Sequence, residues 1–180
     1  MEELPAYRLL LRAILAHTLA QQGRLLLHAA AIGERGRAWL FPGPNGAGKS
    51  TLARQARGTP LADDAVVVFL EDGQPFAEGT PFVSDDGPSP HTGIVPIAGV
   101  LTLKKGMRTR LHPIGRRSLV RTMLEQLFLP PGQSEPTVSQ LRTLLQTATS
   151  VVTGELEFTR STRFCAADLG IPPVPCAVGA

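Results

Sequence analysis

The sequence predicts an α/β fold in which short buried strands alternate with amphipathic helices, and three observations carry that prediction. Apolar runs of strand length recur at 25–32, 37–41, 65–70, 95–103 and 151–158, most of them bounded by Gly, Pro or acidic turn residues. Apolar residues recur at helical spacing over 5–22, 115–128 and 136–149. Between the strand at 37–41 and a short helix at 50–57 lies Gly43-Pro44-Asn45-Gly46-Ala47-Gly48-Lys49-Ser50, followed by Thr51, which fits G-x-x-x-x-G-K-[ST] in its strand–loop–helix setting.

That motif implies a phosphate-binding loop. Its glycines let the backbone turn tightly, so that successive N–H groups point inward at phosphate oxygens ahead of a helix N-terminus. Lys49 would reach the β- and γ-phosphates, and the Ser50 hydroxyl would take one coordination place on Mg²⁺. Residues 43–51 are therefore expected to bind a nucleotide.

Composition sets bounds on the rest. Hydrophobic residues at 43% and charged residues at 18% describe a folded chain, and 180 residues are most simply one domain. Its expected parts are an N-terminal helix at 1–22, a nucleotide-binding core at 23–128, a C-terminal helix and strand at 129–170, and a tail at 171–180. A net charge of +3 is too small to indicate a nucleic-acid partner, and no aromatic residue interleaves the basic run at 104–121. Cys165 and Cys176 show no metal-type spacing, so a reducing cytoplasmic setting is expected. Glu2, Glu3 and Arg12 argue against an export signal, and no window nears the roughly 18 apolar residues of a membrane span. Oligomeric state stays open, a homo-oligomer included.

Taken in order, the helix at 5–22 carries Tyr7, Leu10, Leu11, Ile14 and Leu15 as its packing face, with Arg8 and Arg12 elsewhere on the wheel. His17 has no spaced partner and reads as an ordinary surface or core histidine. The strands at 25–32 and 37–41, joined by Gly33-Glu34-Arg35-Gly36, read as an antiparallel hairpin that brings His28 close to the loop. Thr59-Pro60-Leu61-Ala62 leads to Asp63-Asp64, and Ala65 to Leu70 form a buried strand. Adjacent acids at a strand boundary fit a metal and proton-transfer pair, or else a solvated turn; the phosphate loop upstream favours the first, because phosphoryl transfer needs a carboxylate near Mg²⁺.

Residues 74–96, rich in Pro and Gly, read as a surface loop, either a lid or acceptor-binding segment or else a bland connection, with His91 as a candidate contact within it. After the strand at 95–103, Lys104-Lys105-Gly106 would turn the chain back through 108–113. The helix at 115–128 presents Leu119, Val120, Met123, Leu124 and Leu127, and the helix at 136–149 presents Val138, Leu141, Leu144 and Leu145, as core faces. From Gly58 to Leu103 there are seven acids and no Lys or Arg, whereas 104–121 holds seven basic residues and no acid. If these regions meet, carboxylates for a metal would face cations for anionic groups.

Leu25 to Ala31 with His28, the loop from Gly43 to Thr51, and Leu61-Ala62-Asp63-Asp64-Ala65-Val66, in that order, resemble the HPr kinase/phosphorylase catalytic domain and its short stand-alone relatives, of the phosphoenolpyruvate carboxykinase-like class. Gly79 to Phe82 and Val95 to Leu103 extend the similarity over most of 24–128. The resemblance implies a mixed, largely antiparallel sheet with helices outside, binding ATP and Mg²⁺ and phosphorylating a hydroxyl. It implies Asp64 as the base taking the acceptor's proton, Asp63 assisting at the metal or phosphate, and His28 beside the transferred phosphate. The acceptor it implies is a serine in a peptide or small protein, with a small-molecule hydroxyl as a further class. Two departures from the family pattern are expected to matter: the family's regulatory domain is not expected ahead of these residues, and Pro88 to Val95 has no acid to match the family's glutamate-containing segment. A nucleotide-binding regulator with little hydrolysis is the competing reading. A transport-type ATPase is excluded by spacing, since Glu71 and Asp72 follow the loop too closely for a helical domain between them.

Overall fold

The structure, a computed structural model, describes residues 6–82 and 93–171. His91 and most of the polar stretch around it, and the tail with Cys176, lie outside the described residues. In chain order the elements are α1 (Ala6–Gln21), β1 (Leu25–Leu27), β2 (Ala29–Glu34), β3 (Arg37–Pro42), α2 (Lys49–Gln55), β4 (Thr59–Ala62), β5 (Val66–Glu71), β6 (Gln74–Gly79), β7 (Ile94–Lys105), β8 (Arg110–His112), α3 (Arg116–Glu125), α4 (Val138–Ser150) and β9 (Val152–Phe158), then one 3₁₀ turn at Ala167–Leu169.

The strands form one sheet in the order β1-β5-β6-β7-β3-β2-β4, with β9 on β7 and β8 on β9. Only β3 with β7 and β7 with β9 run parallel; the other pairings are antiparallel. The fold is therefore α/β with a mixed, largely antiparallel sheet and flanking helices, as expected. Alternate residues of β2 enter different apolar clusters: Ala29 and Ala31 pack toward α3 and α4, Ala30 and Ile32 toward α2. A strand covered on both faces reads as a continuous apolar run, which is why 29–32 shows no alternation. A third cluster holds Ala16 and Leu19 of α1 against Leu26, Val67 and Phe69.

The run 25–32 is two strands, not one. The chain breaks at His28, whose N–H donates to the Gln126 carbonyl at 2.7 Å. β1 pairs with β5 whereas β2 pairs with β3 and β4, so the chain crosses at His28 from one half of the sheet to the other. It crosses again at Asp63-Asp64, between β4 on β2 and β5 on β1. The two crossings are neighbours in space, and they carry the residues singled out in the sequence.

Several expectations are corrected. The β2–β3 turn is only Arg35-Gly36, at φ +52° and +73°, the two-residue type that matches strand twist, so Gly33 and Glu34 belong to β2. Asp72-Gly73, at φ +50° and +76°, repeats it, making 74–79 the strand β6 rather than loop. Thr59–Ala62, read as a lead-in, is the strand β4. The segment at 110–112 does not pair back on β7; β9 takes that flank in parallel register from Gly99↔Val152 to Lys105↔Phe158, and β8 pairs with β9.

The helices correct the periodicity reading most. On α1, Tyr7, Leu10, Leu11 and Ile14 are 52–61% exposed, while Arg12, Ala16, Leu19 and Ala20 face the protein. Small alanines let the helix approach closely, and Arg12 has a carboxylate to meet there. On α4, Val138 is 79% exposed and Leu145 is exposed, while Gln140, Thr143, Leu144, Thr147 and Ala148 are buried. This polar face turns inward because the α1–β1 link needs donors: Thr143 Oγ1 donates to the Gly23 carbonyl at 2.8 Å and Gln140 Nε2 to that of Arg24 at 3.2 Å. On α3, Leu119 and Met123 are core residues as expected, and Leu124 is exposed.

Candidate active site

β3 ends at Pro42, the loop follows, and α2 begins at Lys49. Gly46 and Gly48 adopt φ +77° and +103°. At Gly48 the demand for glycine is double, since a Cβ would also sit 2.3 Å from Phe158 Cζ. The buried Lys49 ammonium folds back over the loop, donating to the carbonyls of Gly43 at 2.8 Å and Pro44 at 3.0 Å. Its remaining partner is His28 Nε2, at 2.9 Å. An ammonium has three protons and no acceptor, so this contact makes Nε2 the accepting nitrogen.

His28 Nδ1 correspondingly carries the proton and donates to Asp64, with its main-chain oxygen at 2.8 Å and Oδ1 at 3.0 Å. The Asn45 amide lies 3.0 Å from Nε2, and since that nitrogen accepts, the amide NH₂ is the group that can face it. Loop, β1–β2 break and β4–β5 turn are thus tied by one chain of contacts, Lys49 to His28 to Asp64. Asp64 also pairs through Oδ2 with Arg12 of α1. Arg12 lies against the Phe82 and Phe128 rings, 5.2 and 5.0 Å from their centroids.

Electrostatics follow from this crowding. Burial pushes the Lys49 ammonium below its ordinary value, against the upward pull of Asp64 and Asp63. Burial works to raise Asp64 as well, yet the His28 hydrogen bond and the charges of Arg12 and Lys49 win and hold it below the usual carboxylate range. Asp64 is therefore ionised at neutral pH. Asp63, 1% exposed, lines the same space as Ser50. Among the described residues no cluster of three or more His, Cys, Asp or Glu could hold a metal. A carboxylate and a hydroxyl beside a phosphate loop do fit Mg²⁺, an oxygen-seeking ion that keeps waters and takes phosphates as its other ligands.

These groups open into a cleft of about 700 Å³, the size of a ligand site. Of the residues expected in the site, His28, Asn45, Gly46, Gly48, Lys49, Ser50, Thr51, Asp63 and Asp64 line it. Gly43, Pro44 and Ala47 form the back of the loop, Gly43 and Pro44 through carbonyls that hold Lys49 and Ala47 through its N–H to the Pro44 carbonyl at 3.1 Å. Of the basic run at 104–121, Lys105 lines the cleft, with Gly106, Phe158, Thr159 and Arg160. Sequence reasoning missed Arg160 and Arg12. The spacing of Arg8, Arg12, Ala16 and Ala20 at i, i+4 was a usable signal for Arg12, a small-residue face carrying one buried cation.

No protein-family model matches the chain, and no curated protein matches it. Among solved structures, the Hpr(Ser) kinase/phosphatase from Coxiella burnetii is similar at 16% identity and a TM-score of 0.38, with 49% of this chain and 77% of that chain covered. At that overlap the likeness concerns part of the fold and says nothing of chemistry.

Proposed function

We propose that this chain is an ATP-dependent kinase that transfers a γ-phosphate to a hydroxyl. The observation supporting it is the convergence of Lys49, His28 and Asp64 on one cleft at the phosphate loop. Amides of residues 43–50 would cradle the phosphates, and Lys49 would exchange its loop carbonyls for β- and γ-phosphate oxygens. Ser50 and Asp63 would hold Mg²⁺, which supplies charge neutralisation when bound.

Asp64 then receives the acceptor hydroxyl. The hydroxyl oxygen bonds to phosphorus, the bridging β–γ oxygen leaves with ADP, and the hydroxyl proton passes to a carboxylate oxygen and on to solvent. A carboxylate of low basicity suits a loose transition state, in which orienting the nucleophile matters more than removing its proton early. Serine in a peptide or small protein is the acceptor class implied by the resemblance of His28, the loop and Asp63-Asp64 to the HPr kinase/phosphorylase pattern. Cytoplasmic localisation fits this reading; no helix among the described residues is long and apolar enough to cross a membrane.

One observation favours a second reading. Asp64 already meets both Arg12 and His28, and such a carboxylate suits a nucleotide-binding regulator with slow hydrolysis. ADP formation from Mg·ATP with and without serine peptides separates the two. A kinase forms ADP faster when an acceptor peptide is present, and D64N keeps its nucleotide-dependent thermal shift while losing transfer by about 100-fold or more. ADP formation indifferent to every acceptor, with binding intact, leaves the regulator. K49A should lose the thermal shift with Mg·ATP, and an unchanged shift removes the loop from either reading.

A further inference from the structure

We infer that Arg12 is a positioning residue of this site: from α1 it clamps the Asp64 carboxylate opposite His28, fixing the direction in which an acceptor hydroxyl meets it. The inference rests on the kinase reading above for its catalytic consequence, and on geometry alone for the clamp. Asp64 Oδ2 belongs to Arg12 and Oδ1 to His28 Nδ1, at 3.0 Å for the latter, so both carboxylate oxygens have a directional partner. Each oxygen keeps a second lone pair, enough to accept a hydroxyl proton without breaking either contact.

The clamp is itself held. The Arg12 side chain is only 11% exposed, with its guanidinium against the Phe82 and Phe128 rings, and Phe128 meets the His28 ring edge-on at 5.8 Å. A planar cation between aromatic faces has little freedom, unlike a lysine in the same place. Charge gives it a second task. A lone carboxylate facing a triphosphate repels it, and Arg12 offsets that repulsion beside the loop.

A bland ion pair that merely staples α1 to the body would look similar, so the test separates the two. Full-length R12A, R12K, D64N and R12A/D64N are melted, titrated with Mg·mant-ATP well below their melting points, and assayed for ADP formation with serine peptide. R12A is expected to bind nucleotide ~10-fold more weakly. Its kcat should fall ~100-fold with little change in acceptor KM, because misorientation acts on the chemical step. R12A/D64N should be no slower than D64N, since Arg12 acts through Asp64. R12K should recover binding more fully than kcat, because it restores charge without the planar fork. The inference is overturned if folded R12A binds and turns over like the wild type, or if its loss is as large in the D64N background. Should R12A not fold, R12K decides by the same split. If the wild type shows no acceptor-dependent ADP formation, the kinase reading fails, while the nucleotide titration of R12A still decides the clamp.

Discussion

Gly48 shows how much one residue is asked to do. Its φ of +103° disfavours any side chain, and a methyl there would fall 2.3 Å from Phe158 Cζ. Gly46 shares the positive φ, at +77°, but a Cβ would meet nothing within 4 Å. G46A should therefore cost about 1–2 kcal/mol of stability from backbone strain alone. G48A adds a clash with a cleft-lining ring and should cost about 2–4 kcal/mol. Urea unfolding of both variants checks the ranking, and equal losses would mean that Phe158 moves aside without penalty. Lys49, Ser50, His28 and Asp64 could be singled out because the signals are local: a motif with fixed spacing, a hairpin that carries His28 to the loop, two acids at a strand boundary. Arg12 was only half legible: the i, i+4 run of small residues marks the face it lies on, but its partner is 52 positions away and no local period names it.

Elements were legible as to kind but less so as to orientation. Each of α1, α3 and α4 lies where apolar periodicity put it, within a few residues, yet α1 and α4 present faces other than their most apolar ones. The physical reason is that an inward face answers to what lies opposite. On α4 the opposite groups are main-chain carbonyls of Gly23 and Arg24, so Thr143 and Gln140 point in. T143V keeps the shape but leaves the Gly23 carbonyl without that buried donor, and should cost about 1–3 kcal/mol. L145K, on the exposed face, should stay within about 0.5 kcal/mol of the wild type. Chemical denaturation of the pair is decisive: a larger loss from L145K than from T143V would mean α4 is rotated from the orientation seen. Strands β4 and β6 escaped notice for another reason, since each carries a proline and too few apolar residues to stand out from turn sequence.

The whole molecule brings its site together by where the chain changes sides. β1 and β5 lie in one half of the sheet, β2 and β4 in the other, and the two passages between halves carry His28 and Asp63-Asp64 to the end of the phosphate loop. Asp64 is thereby the meeting point of α1, the β1–β2 break and, through His28, the loop. Its contacts hold it ionised below the ordinary value of 3.8 despite burial, and this couples the fold to pH. With the folded value below the unfolded one, the unfolded chain binds the proton first as pH falls. The stabilising share of Asp64 is therefore complete above about pH 5, shrinks below that, and is gone once pH passes the folded value. Urea midpoints of the wild type and D64N, measured from pH 7 to pH 3, test it. The stability advantage of the wild type over D64N should be constant down to about pH 5 and narrow steadily toward pH 3. A gap that does not change across that range would show that the Arg12 and His28 contacts do not favour the charged form of Asp64, and that the junction is held by packing alone.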